Sequence, residues 1–168
     1  MASEDGRQRP ARPPSEERRG AAYARAVEPD SGVPGHVGPE KQLHSATGYN
    51  LVIDTEGKIY GTREPYNNEA IMVVTSRGDG EVKIKGKHSN FYLAMDEKGK
   101  IYPEKDPESP NIWFKELFEE NWNNYVWLGN NKQWFLAINK SGKLKHGHKT
   151  KKKQKSVKFV PRSANPSY

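Results

Sequence analysis

One short phrase occurs three times in this chain. It reads Leu51-Val-Ile-Asp-Thr-Glu-Gly-Lys-Ile59, then Leu93-Ala-Met-Asp-Glu-Lys-Gly-Lys-Ile101, then Leu136-Ala-Ile-Asn-Lys-Ser-Gly-Lys-Leu144, at spacings of 42 and 43 residues. Each copy predicts a strand, a tight turn and a second strand. Its glycine stands where a turn favours positive φ. A fixed internal period of this size indicates one supersecondary unit used three times.

The repeat predicts an all-β fold with three-fold pseudosymmetry. From Leu43 onward, short apolar runs alternate with turns rich in Gly, Asn and Asp. Three units with about four short strands each would make about twelve strands, which is too many for one flat sheet. Propellers usually need at least four blades, whereas closure into a barrel removes exposed edges. We therefore expect a β-trefoil over residues 43–162, with three pseudo-repeats at 43–80, 81–123 and 124–162.

The two ends of the chain differ from this domain in composition. Residues 1–42 contain six Pro, five Gly and no Leu, Ile, Phe or Trp. Such a segment cannot bury enough apolar surface to offset the entropy of ordering, so we expect a disordered N-terminal tail. Residues 163–168 are expected to form a short C-terminal tail. The N-terminus has no recognisable signal peptide, and no apolar run is long enough for membrane insertion.

Positive charge is concentrated in the last third of the chain. Residues 121–168 hold ten Lys, one Arg and no Asp or Glu, and nine of these Lys lie between Lys140 and Lys158. Lysines this close repel one another, whereas a polyanion turns the repulsion into attraction and releases counterions. The pattern predicts an anion-binding surface in the third repeat.

Three kinds of polyanion fit charge alone: a sulfated glycan, a nucleic acid and an anionic membrane. Nucleic-acid readers usually add aromatic or Arg side chains for stacking and base edges. No Phe, Trp or Tyr lies between Phe135 and Phe159, and no Arg lies between Arg77 and Arg162. An amphipathic helix for a membrane surface is also missing from the pattern. A sulfated glycan is favoured, and no nucleic acid partner is expected. Residues 151–155 also resemble a nuclear-localisation run, so a nuclear pool is a second hypothesis for localisation.

The sequence predicts a binding protein and not an enzyme. It has no cysteine, nucleophile elbow, glycine-rich phosphate loop or HExxH motif. His146 and His148 form a pair without a third ligand at metal-site spacing, so no metal or cofactor is expected. Asn139-Lys140-Ser141 is an N-glycosylation sequon within the basic stretch, where a glycan would block a polyanion.

Blocks of residues in a fixed order resemble the fibroblast growth factors. They include Val82-Lys-Ile-Lys-Gly86, Phe91-Tyr-Leu-Ala-Met95, Trp134-Phe-Leu-Ala-Ile138 and Phe159-Val-Pro-Arg162. The second block and the run 149–155 are most similar to the keratinocyte growth factor branch, while the leaderless start is similar to the acidic and basic members. Ile112 stands where the family nearly always has a core cysteine, so a cysteine-free redesigned member is one hypothesis about origin.

The resemblance implies a secreted, heparan-sulfate-dependent growth factor that promotes cell proliferation and differentiation. Its partners would be heparan sulfate proteoglycans and the ectodomain of a fibroblast growth factor receptor tyrosine kinase. The implied heparin-binding residues are Asn139, Lys140, Lys145, Lys149, Lys151, Lys152, Lys153, Gln154 and Lys155. The implied receptor-binding residues are Leu43, Arg63, Glu116, Asn121, Trp122, Val160 and Arg162. The alternative is a non-signalling intracellular or nuclear trefoil protein that resembles the growth-factor homologous factors.

Overall fold

A computed structural model describes residues 40–164, and this part of the chain contains ten strands and four short 3-10 helices. The strands are β1 (Glu40–Ser45), β2 (Asn50–Ile53), β3 (Ile59–Thr62), β4 (Met72–Ser76), β5 (Glu81–Gly86), β6 (Tyr92–Met95), β7 (Ile101–Glu104), β8 (Trp113–Glu119), β9 (Trp122–Trp127) and β10 (Phe159–Ser163). The 3-10 helices are Asn68–Ala70, Pro110–Ile112, Gly147–Lys149 and Lys155–Val157. No helix among these residues is long and apolar enough to cross a membrane.

Six of the strands close into a barrel. Antiparallel pairing runs from β1 to β4, β5, β8, β9 and β10, and β10 returns to β1. The β2–β3 hairpin is attached to β1, and the β6–β7 hairpin is attached to β5. Closure leaves the barrel strands without a free edge. The predicted β-trefoil is confirmed.

The third repeat is less regular than the other two. Where those have a hairpin of two strands, it has isolated bridges between Val126 and Phe135 and between Ile138 and Leu144. Ile138 N–H donates to Ser156 O at 3.0 Å, so the loop that follows supplies part of its hydrogen bonding. The sequence predicted about twelve strands, and the structure has ten strands plus these two bridged segments.

The repeated phrase supplies the core and the turns. Its first and third positions are fully buried in one cluster: Leu51, Ile53, Leu93, Met95, Leu136 and Ile138. The phrase glycines have φ of 86° at Gly57, 83° at Gly99 and 84° at Gly142, as the sequence predicted. Each turn contacts another repeat, since a Cβ on these glycines would meet Pro103, Gly147 and Tyr49 respectively.

The predicted start of the domain at Leu43 is wrong by three residues. Strand β1 begins at Glu40, which pairs with Val73 on β4, and its carboxylate lies 2.7 Å from Lys87 Nζ. The predicted C-terminal tail begins inside β10, because Ser163 is its last residue, and Ala164 N–H donates to Glu40 O. The rest of the predicted tails, residues 1–39 and 165–168, lies outside the described residues.

Candidate functional site

The predicted heparin-binding residues occupy two neighbouring segments, here called the anion surface: the hairpin turn 139–143 and the loop 145–155. Both lie in the irregular third repeat. Six of the seven predicted lysines are exposed, and Lys145 is half-buried. The bond from Ile138 N–H to Ser156 O brings the end of the loop beside the start of the turn. The structure therefore brings both segments together on the surface of the third repeat.

Gln154 holds the loop in its folded shape. Its Oε1 accepts hydrogen bonds from Lys145 Nζ at 3.1 Å and from Lys151 N–H at 3.0 Å, and its Nε2 donates to Lys149 O at 3.3 Å. The neutral amide oxygen offsets part of the repulsion between the lysines around it. The resemblance implies a heparin contact at Gln154, and in the structure its side chain also organises the lysines.

Buried residues fix the base of the loop, and sequence reasoning missed them. Thr150 is buried, accepts a hydrogen bond from Phe135 N–H at 2.9 Å and donates its hydroxyl to Gly147 O at 2.6 Å. Gly147 N–H donates to Gly99 O at 2.7 Å, and a Cβ on Gly147 would lie 2.7 Å from the Trp134 Cβ. A small polar residue between lysines carries no sequence signal for such a role. The lysines thus stand on a fixed backbone.

Lys152 differs from the other lysines of the anion surface. Its Nζ lies 3.3 Å from Glu119 Oε2 at the end of β8, and both side chains are about half exposed. Exposed pairs of this kind contribute little to stability. A polyanion bound here would still have to compete with the Glu119 carboxylate for this lysine.

The predicted receptor contact at Leu43 is wrong, because Leu43 is 0% exposed and belongs to the core. Successive residues of a strand point to opposite faces, so its neighbour His44 is turned outward and half-exposed. His44 lies opposite Val160, and Gln42 lies opposite Arg162, in the β1–β10 register. Val160 and Arg162 therefore share an outer face with His44. The alternation along β1 was the signal that could have indicated that His44, and not Leu43, is presented at the surface.

Glu116 has a structural partner that the sequence did not reveal. It lies opposite Tyr125 in the β8–β9 register, and its Oε2 accepts a hydrogen bond from the Tyr125 hydroxyl at 2.7 Å. Tyr125 is fully buried. Burial raises the pKa of Tyr125 well above its ordinary value, and the adjacent Glu116 charge and hydrogen bond raise it further. Glu116 thus satisfies a buried phenol on the barrel wall.

Asn121 and Trp122 lie at the tight turn between β8 and β9. Glu119 pairs with Trp122, so only Glu120 and Asn121 form the loop, and Glu120 has a φ of 57°. Asn121 is exposed and Trp122 is half-buried. Phe118, on the same hairpin, is 73% exposed and was not predicted. The end of this hairpin therefore exposes an apolar side chain and an amide.

Arg63, just after β3, is linked through Tyr49 to the anion surface. Its guanidinium stacks over the Tyr49 ring at 4.7 Å and donates to the Tyr49 hydroxyl at 3.2 Å. That hydroxyl donates to Lys140 O at 2.9 Å. Two residues after Arg63, the Pro65 carbonyl accepts a hydrogen bond from Gln42 Nε2 on β1 at 3.0 Å. We call the outward side chains of β1, β8, β9 and β10, together with Arg63, the receptor face.

His146 and His148 are exposed, and their rings meet edge to face at 5.7 Å. Within residues 40–164, no three His, Cys, Asp or Glu side chains are placed to hold a metal ion. The six-stranded barrel, its attached hairpins and the exposed lysine-rich loop together define a β-trefoil protein.

Comparison with known proteins identifies the family. The profile described as Fibroblast growth factor matches residues 39–160. Human fibroblast growth factor 7 is 43% identical over 125 residues, which cover 72% of this chain and 64% of the relative. Human fibroblast growth factor 10 is 38% identical over 125 residues, covering 72% of this chain and 60% of the relative. The chain belongs to the fibroblast growth factor family, and the predicted keratinocyte growth factor branch is confirmed. It spans a little under two thirds of the length of these relatives.

Proposed function

We propose that this chain acts outside the cell as a growth factor that binds a fibroblast growth factor receptor ectodomain, with heparan sulfate as co-ligand and no cofactor. The anion surface binds the sulfated chain, and the receptor face binds the immunoglobulin-like ectodomain. Binding of both partners drives proliferation and differentiation of the target cell.

The observation that carries this proposal is that two chemically different surfaces meet at one place. The anion surface offers exposed lysines on a fixed loop, which suits a chain of regularly spaced sulfates. The receptor face offers half-exposed apolar and amide groups on barrel strands. Arg63, Tyr49 and Lys140 are joined by consecutive hydrogen bonds, so a sulfated chain and a receptor bound at both surfaces would be neighbours.

The test is binding of the purified chain to a panel of receptor ectodomains, each with and without a heparin oligosaccharide. We expect binding to at least one ectodomain and tighter binding when heparin is present. Retention on heparin without binding to any ectodomain would contradict the receptor part and favour the non-signalling alternative.

A matched pair of variants assigns the binding to the receptor face. Replacing Val160 and Arg162 by Ala should weaken receptor binding by about tenfold or more, since truncating a residue at the centre of an interface can cost about 2 kcal/mol or more. The same replacement of Thr55 and Lys98, which are exposed on the turns of the first two repeats, should leave receptor binding unchanged. Equal losses in both double variants would contradict the assignment.

A further inference from the structure

The turn of the third repeat differs chemically from its two counterparts. In the first two repeats a carboxylate holds the turn: Asp54 Oδ1 accepts Glu56 N–H and Lys58 N–H at 2.9 and 2.8 Å, and Asp96 Oδ1 accepts Lys98 N–H and Lys100 N–H at 2.9 Å each. In the third repeat the amide Asn139 does the same, accepting Ser141 N–H at 2.9 Å and Lys143 N–H at 3.0 Å. The amide keeps the acceptor oxygen and adds a nitrogen that the turn does not need.

The side-chain nitrogen of Asn139 is free to be modified without disturbing the turn. Two backbone N–H groups can only donate, so the atom they meet must be the amide oxygen of Asn139. The Ser141 hydroxyl also donates to this oxygen, at 2.9 Å. Asn139 Nδ2 makes no hydrogen bond to any residue between 40 and 164, and the side chain is half-exposed. A substituent on Nδ2 would therefore leave every bond of the turn intact.

We propose that Asn139 is a site of N-linked glycosylation and that the glycan closes the anion surface. Asn139-Lys140-Ser141 fits the acceptor sequence, with Lys and not Pro in the middle. The co-reactant is a lipid-linked oligosaccharide diphosphate. Asn139 Nδ2 forms a bond to the sugar C1, the bond from C1 to the diphosphate oxygen breaks, the lipid diphosphate leaves with the electron pair, and Nδ2 loses one proton to a base.

The effect on polyanion binding rests on the proposed function. The modified nitrogen is flanked by Lys140 and Lys143, both exposed on the same turn. A bulky hydrated glycan at this point occupies the space that a sulfated chain needs in order to reach them. The bare and the glycosylated chain are thus a heparin-binding form and a form with reduced heparin affinity.

The first experiment measures whether Asn139 is modified. The chain is expressed in mammalian cells behind an added secretion signal, and the peptide that contains Asn139 is analysed by mass spectrometry before and after glycosidase treatment. The wild type and Ser141→Thr, which keeps the acceptor sequence, should carry the glycan, while Ser141→Ala should not. Ser141→Ala should fold, because Glu56 and Lys98 occupy this position in the other two turns. A bare Asn139 in both wild type and Ser141→Thr would overturn the proposal.

The second experiment measures the consequence on a heparin column at several salt concentrations. The glycosylated wild type should elute at lower salt than secreted Ser141→Ala, and its salt slope should be smaller by about 2 if two lysine contacts are lost. Identical elution of the two forms would overturn the closing of the surface while leaving the modification established. Failure of Ser141→Ala itself to bind heparin would contradict the proposed function, whatever the glycan result.

Discussion

The anion surface and the receptor face lie side by side but are built in opposite ways. The lysines of the anion surface project from a loop whose shape is fixed by other residues, mainly Thr150, Gly147 and Gln154. On the receptor face, strand alternation decides which side chains are presented, and the half-exposed Glu116 accepts a hydrogen bond from a buried hydroxyl. A change to one of the exposed lysines should therefore affect binding alone, whereas a change to the receptor face can affect folding as well.

The prediction with the largest expected effect tests whether the lysines of the anion surface contribute to heparin binding but not to folding stability. Reversing Lys140, Lys149 and Lys155 to Glu should reduce the salt slope of heparin binding by about 3 and weaken binding by orders of magnitude at low salt. The free energy of unfolding should change by less than about 0.5 kcal/mol per site, because all three side chains are exposed. The measurements are heparin affinity at several salt concentrations and a denaturant melt.

The control for this prediction uses lysines from the first two turns, Lys58, Lys98 and Lys100, which are equally exposed. Both triple variants change the net charge by the same amount. If heparin affinity falls equally in both, net charge and not the anion surface controls binding. The half-buried Lys83 is a poor control because its Nζ lies over the Tyr92 ring at 5.2 Å.

The contrast between the two surfaces also explains what the sequence could predict. The three-fold phrase predicts the trefoil because its buried positions and its turns recur in register. Exposed lysines carry their signal in residue type alone, so the loop 145–155 could be located without coordinates. The environments of Leu43 and Glu116 could not be predicted in this way. They depend on the direction in which each side chain points and on the residue opposite it in the strand pair. A one-residue shift in register reverses the face of a strand, and that register was set by long-range pairing with β10 and β9.

The second prediction separates two roles of Glu116: its hydrogen bond to Tyr125 and its proposed contact with the receptor. Glu116→Ala leaves the buried Tyr125 hydroxyl without its acceptor, which should lower the free energy of unfolding by about 1–3 kcal/mol. Glu116→Gln keeps an acceptor oxygen, so it should retain most of the stability in a denaturant melt. A receptor contact through the carboxylate predicts that Glu116→Gln still loses about tenfold in receptor affinity. Equal stability of the Ala variant and the wild type would show that the hydrogen bond to Tyr125 contributes nothing.

The third prediction concerns alkaline pH. Burial, followed by the Glu116 charge, raises the pKa of Tyr125 in the folded state, whereas the unfolded phenol titrates near its ordinary pKa of about 10. The folded state therefore retains a proton that the unfolded state releases. This contribution to stability is present below pH 10 and is lost as pH rises further, by up to about 1.4 kcal/mol per pH unit.

Tyr125→Phe isolates that proton. The pKa of Tyr60 and the pKa of Tyr92 are also raised, mainly by burial, but both groups remain in the variant. Unfolding measured from pH 9 to pH 11.5 should show a shallower loss of stability in Tyr125→Phe than in the wild type. Parallel curves would mean that Tyr125 ionises as easily in the folded state as in the unfolded state.

The prediction with the smallest expected effect concerns the backbone of the β8–β9 turn on the receptor face. Glu120 has a φ of 57°, a left-handed conformation that costs a non-glycine residue about 1–2 kcal/mol. Glycine removes this cost but loses about 0.5–1 kcal/mol through its greater freedom when unfolded, so Glu120→Gly should gain about 0.5–1 kcal/mol. At the neighbouring Asn121, which does not have positive φ, glycine should bring only the entropic loss. Opposite signs in the two melts would locate the strain at Glu120. If Glu120→Gly also weakens receptor binding, the strained backbone contributes to the shape that the receptor recognises; unchanged binding would make it a local feature of the turn.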